Sequence, residues 1–305
     1  MSLPYLHFPS KLPVQTIAQN FSGGVDVLRL DELHPVISGN KWFKLKEHLH
    51  LAVTAKATGL VTYGGAWSNH LVAVAYAARQ LKLPSAGIVR GEQLPFSALS
   101  QTLKDCLNYG MQLFFLSREE YAHKDELVAI ASLQQQFPGY HRIPEGAADA
   151  AGVHGAATIV NTVPAFHTYT HICCSIGTGT MLAGIASACA AHQTAIGFSV
   201  FKKADGIREM VEALVPARDI PVRFELETRY SFGGYGKFPP ELIDFMNQFY
   251  RETSIPTDIV YSAKLMAGVS DLFNKGCFPH GAKVLAVHCG GLQGNRSLPA
   301  GTLLF

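Results

Sequence analysis

Short apolar runs alternate with helix-like stretches along almost the whole chain, and this rhythm limits the fold more than any other feature. The segments 25–30, 59–64, 85–89, 112–116 and 140–143 read as strands. Between them, 44–57, 69–81, 98–109 and 124–136 read as helices, with Ser97 a candidate N-cap for the third. A Gly/Ala-rich connection, 145–155, follows. The pattern then resumes with a helix at 156–163, a strand at 170–174, a helix at 181–191 and a strand at 195–200. A helix at 265–275 and a strand at 283–288 close it. Strands that alternate with helices predict an α/β fold with a largely parallel sheet. Residues 55–148 keep a rhythm of their own. They are expected to form a smaller domain inserted into a larger one made of 1–54 and 149–305.

Composition narrows the partners. The 305 residues are 48% hydrophobic and only 16% charged, which suits a core-rich globular protein. The net charge is +2 and there is no basic stripe, so nucleic acid and anionic membrane are excluded as expected partners. No run of about 18 apolar residues exists to span a membrane. The stretch Met1 to Lys11 is broken by Pro4 and Pro9 and lacks the apolar core of a signal peptide. The most apolar segment, 181–191, is interrupted by Gly and Ser and reads as a buried helix. Cysteines stand at 106, 173, 174, 189, 277 and 289 without a CxxC pair, so no zinc site is expected. Free, mostly buried thiols in a reducing cytoplasm are the simple expectation.

Ligands of open α/β sheets sit at the carboxyl ends of strands, so the loops there carry the chemistry. In Ser38-Gly39-Asn40-Lys41-Trp42-Phe43-Lys44, a lysine follows a Gly-Asn turn close to apolar neighbours. Partial desolvation lowers a lysine's pKa and suits it to Schiff-base chemistry, although an exposed helix start would look the same. Gly64-Gly65-Ala66-Trp67-Ser68-Asn69-His70 follows a strand and opens a helix. Its glycines allow close backbone approach, and Ser68 and Asn69 stand at an anion-attracting helix start or act as plain caps. Ser175-Ile176-Gly177-Thr178-Gly179-Thr180 has the glycines and hydroxyls of a nest for a monophosphate, or of a tight turn. It matches neither a Walker A motif nor a dinucleotide fingerprint. His288-Cys289-Gly290-Gly291 ends a late strand, where the glycines admit a planar ligand and Cys289 is a reactive or simply packed thiol. A lysine, a phosphate nest and glycine-walled strand ends together suggest pyridoxal phosphate. The other histidines show no metal spacing and read as surface or packing residues, while His70, beside Asn69, is the one expected near the site.

With these motifs the sequence resembles the fold-type II pyridoxal-phosphate enzymes, and more closely the family of 1-aminocyclopropane-1-carboxylate (ACC) deaminase and D-cysteine desulfhydrase. Gly39-Asn40-Lys41 matches the family's Gly-Asn-Lys, and Gly64-Gly65-Ala66-Trp67-Ser68-Asn69 its Gly-Gly-x-x-Ser-Asn. The nest matches Ser175 to Thr180. Phe232-Gly233-Gly234-Tyr235-Gly236 and Asp258-Ile259-Val260-Tyr261-Ser262 resemble its two tyrosine segments. The resemblance implies two three-layer α/β domains of the tryptophan synthase β-like kind, with mostly parallel sheets. It makes Lys41 the cofactor lysine and the catalytic base. Ser68, Tyr235 and Tyr261 become catalytic residues that, with Trp67, Asn69 and His70, also meet the substrate. Asn69, Ser175, Gly177, Thr178, Gly179, Thr180, Ser262, Cys289 and Gly290 become cofactor contacts. A homodimer acting on a small amino acid is implied as well.

The chain departs from the family at Phe43, where the family commonly has Arg, and at Glu145, where it has a small residue. The family's deaminases carry Glu after the second tyrosine, facing the pyridine nitrogen, whereas this chain has Ser262 and the desulfhydrases a hydroxyl. At the position of Cys289 deaminases tend to have Leu and desulfhydrases a small residue. Both positions favour β-elimination in the manner of D-cysteine desulfhydrase, giving pyruvate, ammonia and sulfide. ACC deamination, another fold-type II lyase activity on a D-serine-like substrate, a catalytically altered cofactor-binding protein and a phosphate-binding enzyme without pyridoxal phosphate remain the alternatives.

Overall fold

The computed structural model describes residues 8–20, 23–215 and 222–305; the first seven residues of the stretch read for a leader lie outside them. The chain runs β1 (Val14–Asn20), β2 (Gly23–Arg29), α1 (Asn40–Thr54), β3 (Gly59–Gly64), α2 (Asn69–Gln80), β4 (Ser85–Arg90), α3 (Gln101–Asn108), β5 (Met111–Leu116), α4 (Arg118–Ala122), α5 (Leu127–Gln136) and β6 (Tyr140–Ile143). It continues through α6 (Ala150–Ala157), β7 (His171–Ile176), α7 (Thr180–Ala188), β8 (Thr194–Ser199), α8 (Ile207–Glu212), β9 (Phe224–Glu227), α9 (Pro240–Thr253), α10 (Ser262–Asn274) and β10 (Ala282–His288). Two sheets result. The first has the order β1-β2-β10-β7-β8-β9, parallel except for the β1–β2 pair; the second, β5-β4-β3-β6, is parallel throughout.

Side-chain alternation explains why both sheets are covered on two faces. Along β2, β7 and β10, Leu28, Ile172, Cys174, Leu285 and Val287 enter one core with α7. Their neighbours Val25, Val27, Cys173, Val284 and Ala286 enter another with α10. In the smaller sheet Leu60 packs with α2, while Val61, Tyr63, Ala86 and Ile88 pack with Tyr121 and Leu133. Strands buried on both faces read as continuous apolar runs, which is why they are visible in the sequence. The α/β fold with mostly parallel sheets and two three-layer arrangements is therefore the one present.

Several expected elements differ in detail. α1 starts at Asn40, four residues before the expected start, so Lys41 lies in its first turn. Its N-cap, Gly39, offers no side chain; the Asn40 amide instead donates to the Cys289 carbonyl at 3.0 Å, a cap supplied by the end of β10. α3 is capped by Ser100, not Ser97, because residues 96–98 form a separate 3-10 turn. The Gly/Ala-rich connection is largely helix: Asp149 caps α6 through the Gly152 amide, and Thr158–Thr162 is a 3-10 turn rather than helix. Its glycine serves packing, since a Cβ on Gly155 would stand 1.9 Å from the Phe43 carbonyl oxygen of α1. Strands β1 and β9 and helices α4, α8 and α9 were not marked by the sequence pattern. No helix among the described residues is long and apolar enough to cross a membrane.

The junction of α1 and β10 depends on two glycines. Gly39 has φ +66°, and a Cβ there would stand 1.6 Å from the Cys289 carbonyl oxygen; a Cβ on Gly290 would stand 2.6 Å from the Gly39 Cα. Gly276 has φ +67° but open space around it. Gly276→Ala should therefore cost only the left-handed conformation, about 1 kcal/mol, whereas Gly39→Ala adds overlap and should cost about 3 kcal/mol or more. Urea unfolding of the two variants checks this; equal midpoints would contradict the packed junction.

Candidate active site

The carboxyl ends of β3, β4, β6, β7 and β10 open onto one cavity of about 380 Å³. Lys41, Trp67, Ser68, Asn69, His70, Ser175, Gly177, Thr178, Gly179, Tyr235, Tyr261, Cys289 and Gly290 line it, so the separate loops are brought together. Two expected residues are not brought to the lining. Thr180 is buried with its hydroxyl 2.9 Å from that of Thr178. Ser262 is buried at the start of α10, where its hydroxyl donates to Asp258 Oδ1 at 2.7 Å and accepts from the Asp258 amide. The Ser262 hydroxyl is thus engaged with the Asp258 loop that precedes α10.

Lys41 Nζ donates to Asn40 Oδ1 at 2.7 Å and lies 6.0 Å from the Tyr261 ring centre. Burial lowers its pKa, only partly opposed by Cys289 and Asp258. One helical turn on, Lys44 faces the same cavity. Burial and the neighbouring Lys41 push its pKa down to about 7. Sequence reasoning missed Lys44 as a site residue because starting the helix at 44 hid the i, i+3 pairing. It also missed the cavity-lining Asn40, Arg90, Glu145 and Asp258 as site residues.

α2 begins with Ser68, whose Oγ accepts from the Leu71 amide at 3.3 Å, so the cap and the cavity wall are one residue. Asn69 Nδ2 donates to the Gly291 carbonyl at 2.9 Å, and its buried Oδ1 has no partner. Behind it, Thr62 gives its hydroxyl proton to the Ile143 carbonyl, so His70 Nε2 donates to Thr62 Oγ1 at 2.9 Å. Burial and nearby lysines hold the ring neutral by lowering its pKa far below normal.

Opposite, α7 starts at Gly179, φ +80°, with no side-chain cap, which leaves its first amides free for an anion. Ser175 Oγ donates to the Tyr261 carbonyl at 3.0 Å and ties β7 to α10. Asp258 accepts from the amides of Val260, Tyr261 and Ser262 at 2.9, 3.0 and 2.7 Å. Tyr235 meets Tyr261 edge-on with ring centres 6.1 Å apart, and burial raises the Tyr261 pKa well above normal. Burial also raises the Cys289 thiol, whose Sγ sits 3.6 Å from Met181 Sδ, so it is a packed wall residue. Among the described residues no cluster of His, Cys, Asp or Glu could hold a metal ion.

These residues fit a phosphorylated aldehyde on a flat ring. The uncapped α7 start and Lys44 suit the phosphate, the Lys41 amine the aldehyde, and the orphan Asn69 Oδ1 a ring hydroxyl. Comparison with known proteins agrees. A family model described as pyridoxal-phosphate dependent enzyme matches residues 12–290. The chain is 27% identical over 301 residues to a Thermotoga maritima protein described as a candidate 1-aminocyclopropane-1-carboxylate deaminase, covering 92% of this chain and 94% of that one. It is 27% identical over 285 residues to the Arabidopsis thaliana mitochondrial bifunctional D-cysteine desulfhydrase/1-aminocyclopropane-1-carboxylate deaminase, covering 85% and 70%. A solved structure of an ACC deaminase homologue shares the fold with a TM-score of 0.79 at 24% identity, over 94% of this chain and 91% of that one.

The lysine pair sets a pH dependence. Folding lowers the Lys44 pKa from 10.5 to about 7, so between those values the unfolded chain binds more protons than the folded one. In cofactor-free protein this makes stability rise with pH across that window, with a slope of up to about 1.4 kcal/mol per pH unit from this group. Lys44→Met should flatten the rise in urea unfolding followed from pH 7 upward; an unchanged slope would contradict the assignment.

Proposed function

The chain belongs to the pyridoxal-phosphate dependent enzymes, and from that premise we propose that it catalyses β-elimination on a small amino acid in the manner of a D-cysteine desulfhydrase. Cysteine and water would give pyruvate, ammonia and hydrogen sulfide. When bound, pyridoxal phosphate supplies an electron sink conjugated with the substrate's Cα. The chain's own groups do the rest. Lys44 and the amides at the start of α7, with Gly177, Thr178 and Gly179, hold the phosphate, while Asn69, Cys289 and Gly290 face the ring. Ser68 and the α2 N-terminus orient the substrate carboxylate. Lys41, steadied by Asn40 and made less basic by burial, takes the proton from Cα. Tyr261 keeps its proton because burial raises its pKa, and with Tyr235 beside it serves as the donor to the departing sulfur.

One observation carries the choice of elimination. The residue after Tyr261 brings no carboxylate, and the Asp258 carboxylate is spent on three backbone amides and the Ser262 hydroxyl. A pyridine nitrogen without its own carboxylate is a weaker sink, which supports loss of a good leaving group over opening a cyclopropane. The names of the relatives from Thermotoga maritima and Arabidopsis thaliana support a second reading, ACC deamination to 2-oxobutyrate and ammonia. The proposal includes a homodimer and a reducing, cytoplasmic location; six unpaired cysteines support the latter.

Lys41→Ala should abolish the visible absorbance of the holoenzyme and lower pyruvate release by about a thousandfold or more. Turnover that persists in the variant would contradict the scheme. In a panel of D- and L-amino acids that includes ACC, pyruvate from cysteine should exceed 2-oxobutyrate from ACC; the reverse order would select the second reading.

A further inference from the structure

The charges around the cavity do not balance in pairs. Lys41, Lys44, Arg90, Glu145 and Asp258 are the Lys, Arg, Asp and Glu side chains that line it. Lys41 and Lys44 are assigned to the cofactor, and Asp258 is held by backbone amides. Glu145 Oε2 lies 3.4 Å from Lys124 Nζ, so its charge is met from outside the cavity. Arg90 is left. Among the described residues it forms no ion pair; its guanidinium carbon stands 5.8 Å from the centre of the Tyr121 ring. That ring also carries Lys124 Nζ at 4.9 Å and is only 3% exposed, so it is a fixed platform for both cations.

Position gives this cation a purpose. Arg90 ends β4, and its Nη2 lies 3.7 Å from where a Cβ on Gly65 would stand. It therefore overlooks the loop that leads to Ser68 and the start of α2. The helix start already provides for the substrate's α-carboxylate, so a further cation at this rim has no anion to meet on a plain cysteine. A guanidinium is a planar fork that meets a carboxylate through two parallel N–H donors.

We propose that Arg90 is a specificity-determining residue that selects amino acids whose β-substituent carries a second carboxylate, so that the leaving group itself is anionic. This rests on the β-elimination reading for the reaction, though not for the binding. With S-carboxymethylcysteine the Cα proton goes to Lys41 and the Cβ–S bond breaks with its electron pair on sulfur. Addition of one water then gives pyruvate, ammonia and mercaptoacetate, and no oxidant or reductant is needed.

The test compares S-carboxymethylcysteine with the neutral S-ethylcysteine, each as D and L forms, on the holoenzyme. For the enantiomer used, kcat/KM for the anionic compound should exceed that for the neutral one by about tenfold or more. Arg90→Gln should bring the ratio close to one, and Arg90→Lys should retain part of it. A merely structural role would lower both values together and leave the ratio. A ratio near one in the wild-type enzyme, or one unchanged in Arg90→Gln, overturns the proposal. Calorimetric binding of succinate against butyrate to the holoenzyme separates the two readings. If no cysteine derivative yields pyruvate, the elimination reading fails, while a succinate preference of about tenfold that Arg90→Gln removes still upholds the subsite. Equal binding of succinate and butyrate overturns it.

Discussion

The contact between the backbone at Gly39 and the backbone at Gly290 is the constraint on which the site depends. Only with no side chain on either residue can the start of α1 press against the end of β10 closely enough for the Asn40 amide to reach the Cys289 carbonyl. That bond takes the place of a side-chain cap. It also sets where the first turn of the helix points, and so where Lys41 and Lys44 emerge. The same contact brings Cys289 and Gly290 to the cavity wall opposite the loops of the smaller sheet.

Placing two ammonium groups one helical turn apart in a buried wall costs stability. That cost is the origin of the chemistry. Desolvation shifts both amines toward the neutral form, and Lys41 adds to the shift at Lys44; Lys41 needs that neutral form before it can act as a nucleophile or a base near neutral pH. The remaining parts steady the pair. Asn40 holds the Lys41 nitrogen, Asp258 gathers the amides that open α10 beneath Tyr261, and Ser175 ties that helix to β7. The uncapped start of α7 supplies partial positive charge for an anion without adding another mobile side chain.

Much of this was legible from residues alone, because strands covered on both faces leave continuous apolar runs. Gly59–Gly64 and Tyr140–Ile143 are bounded in the sequence as they are in the fold. The misreadings have physical causes. The start of α1 was hidden because its cap is a carbonyl far along the chain, which no local signal announces. α6 was hidden because its glycines look like loop residues, whereas Gly155 is there to let α1 approach and Gly152 fits against Ala147. The loops that hold Lys41, Ser68, Asn69 and Gly177 to Gly179 were readable because glycines and hydroxyls at strand ends have few other uses. Lys44, Arg90 and Asp258 were not readable as site residues, since what matters about each is which charge stands beside it. Ser262 was placed by family resemblance alone, and its hydroxyl turns out to be committed to Asp258.

The central claim is that Lys41, rather than the more deeply buried Lys44 one turn away, carries the cofactor. Borohydride reduction of the holoenzyme, followed by proteolysis and mass spectrometry of the labelled peptide, tests it most directly. The account predicts a single pyridoxyl group on Lys41. A label on Lys44, or none on α1, would contradict it.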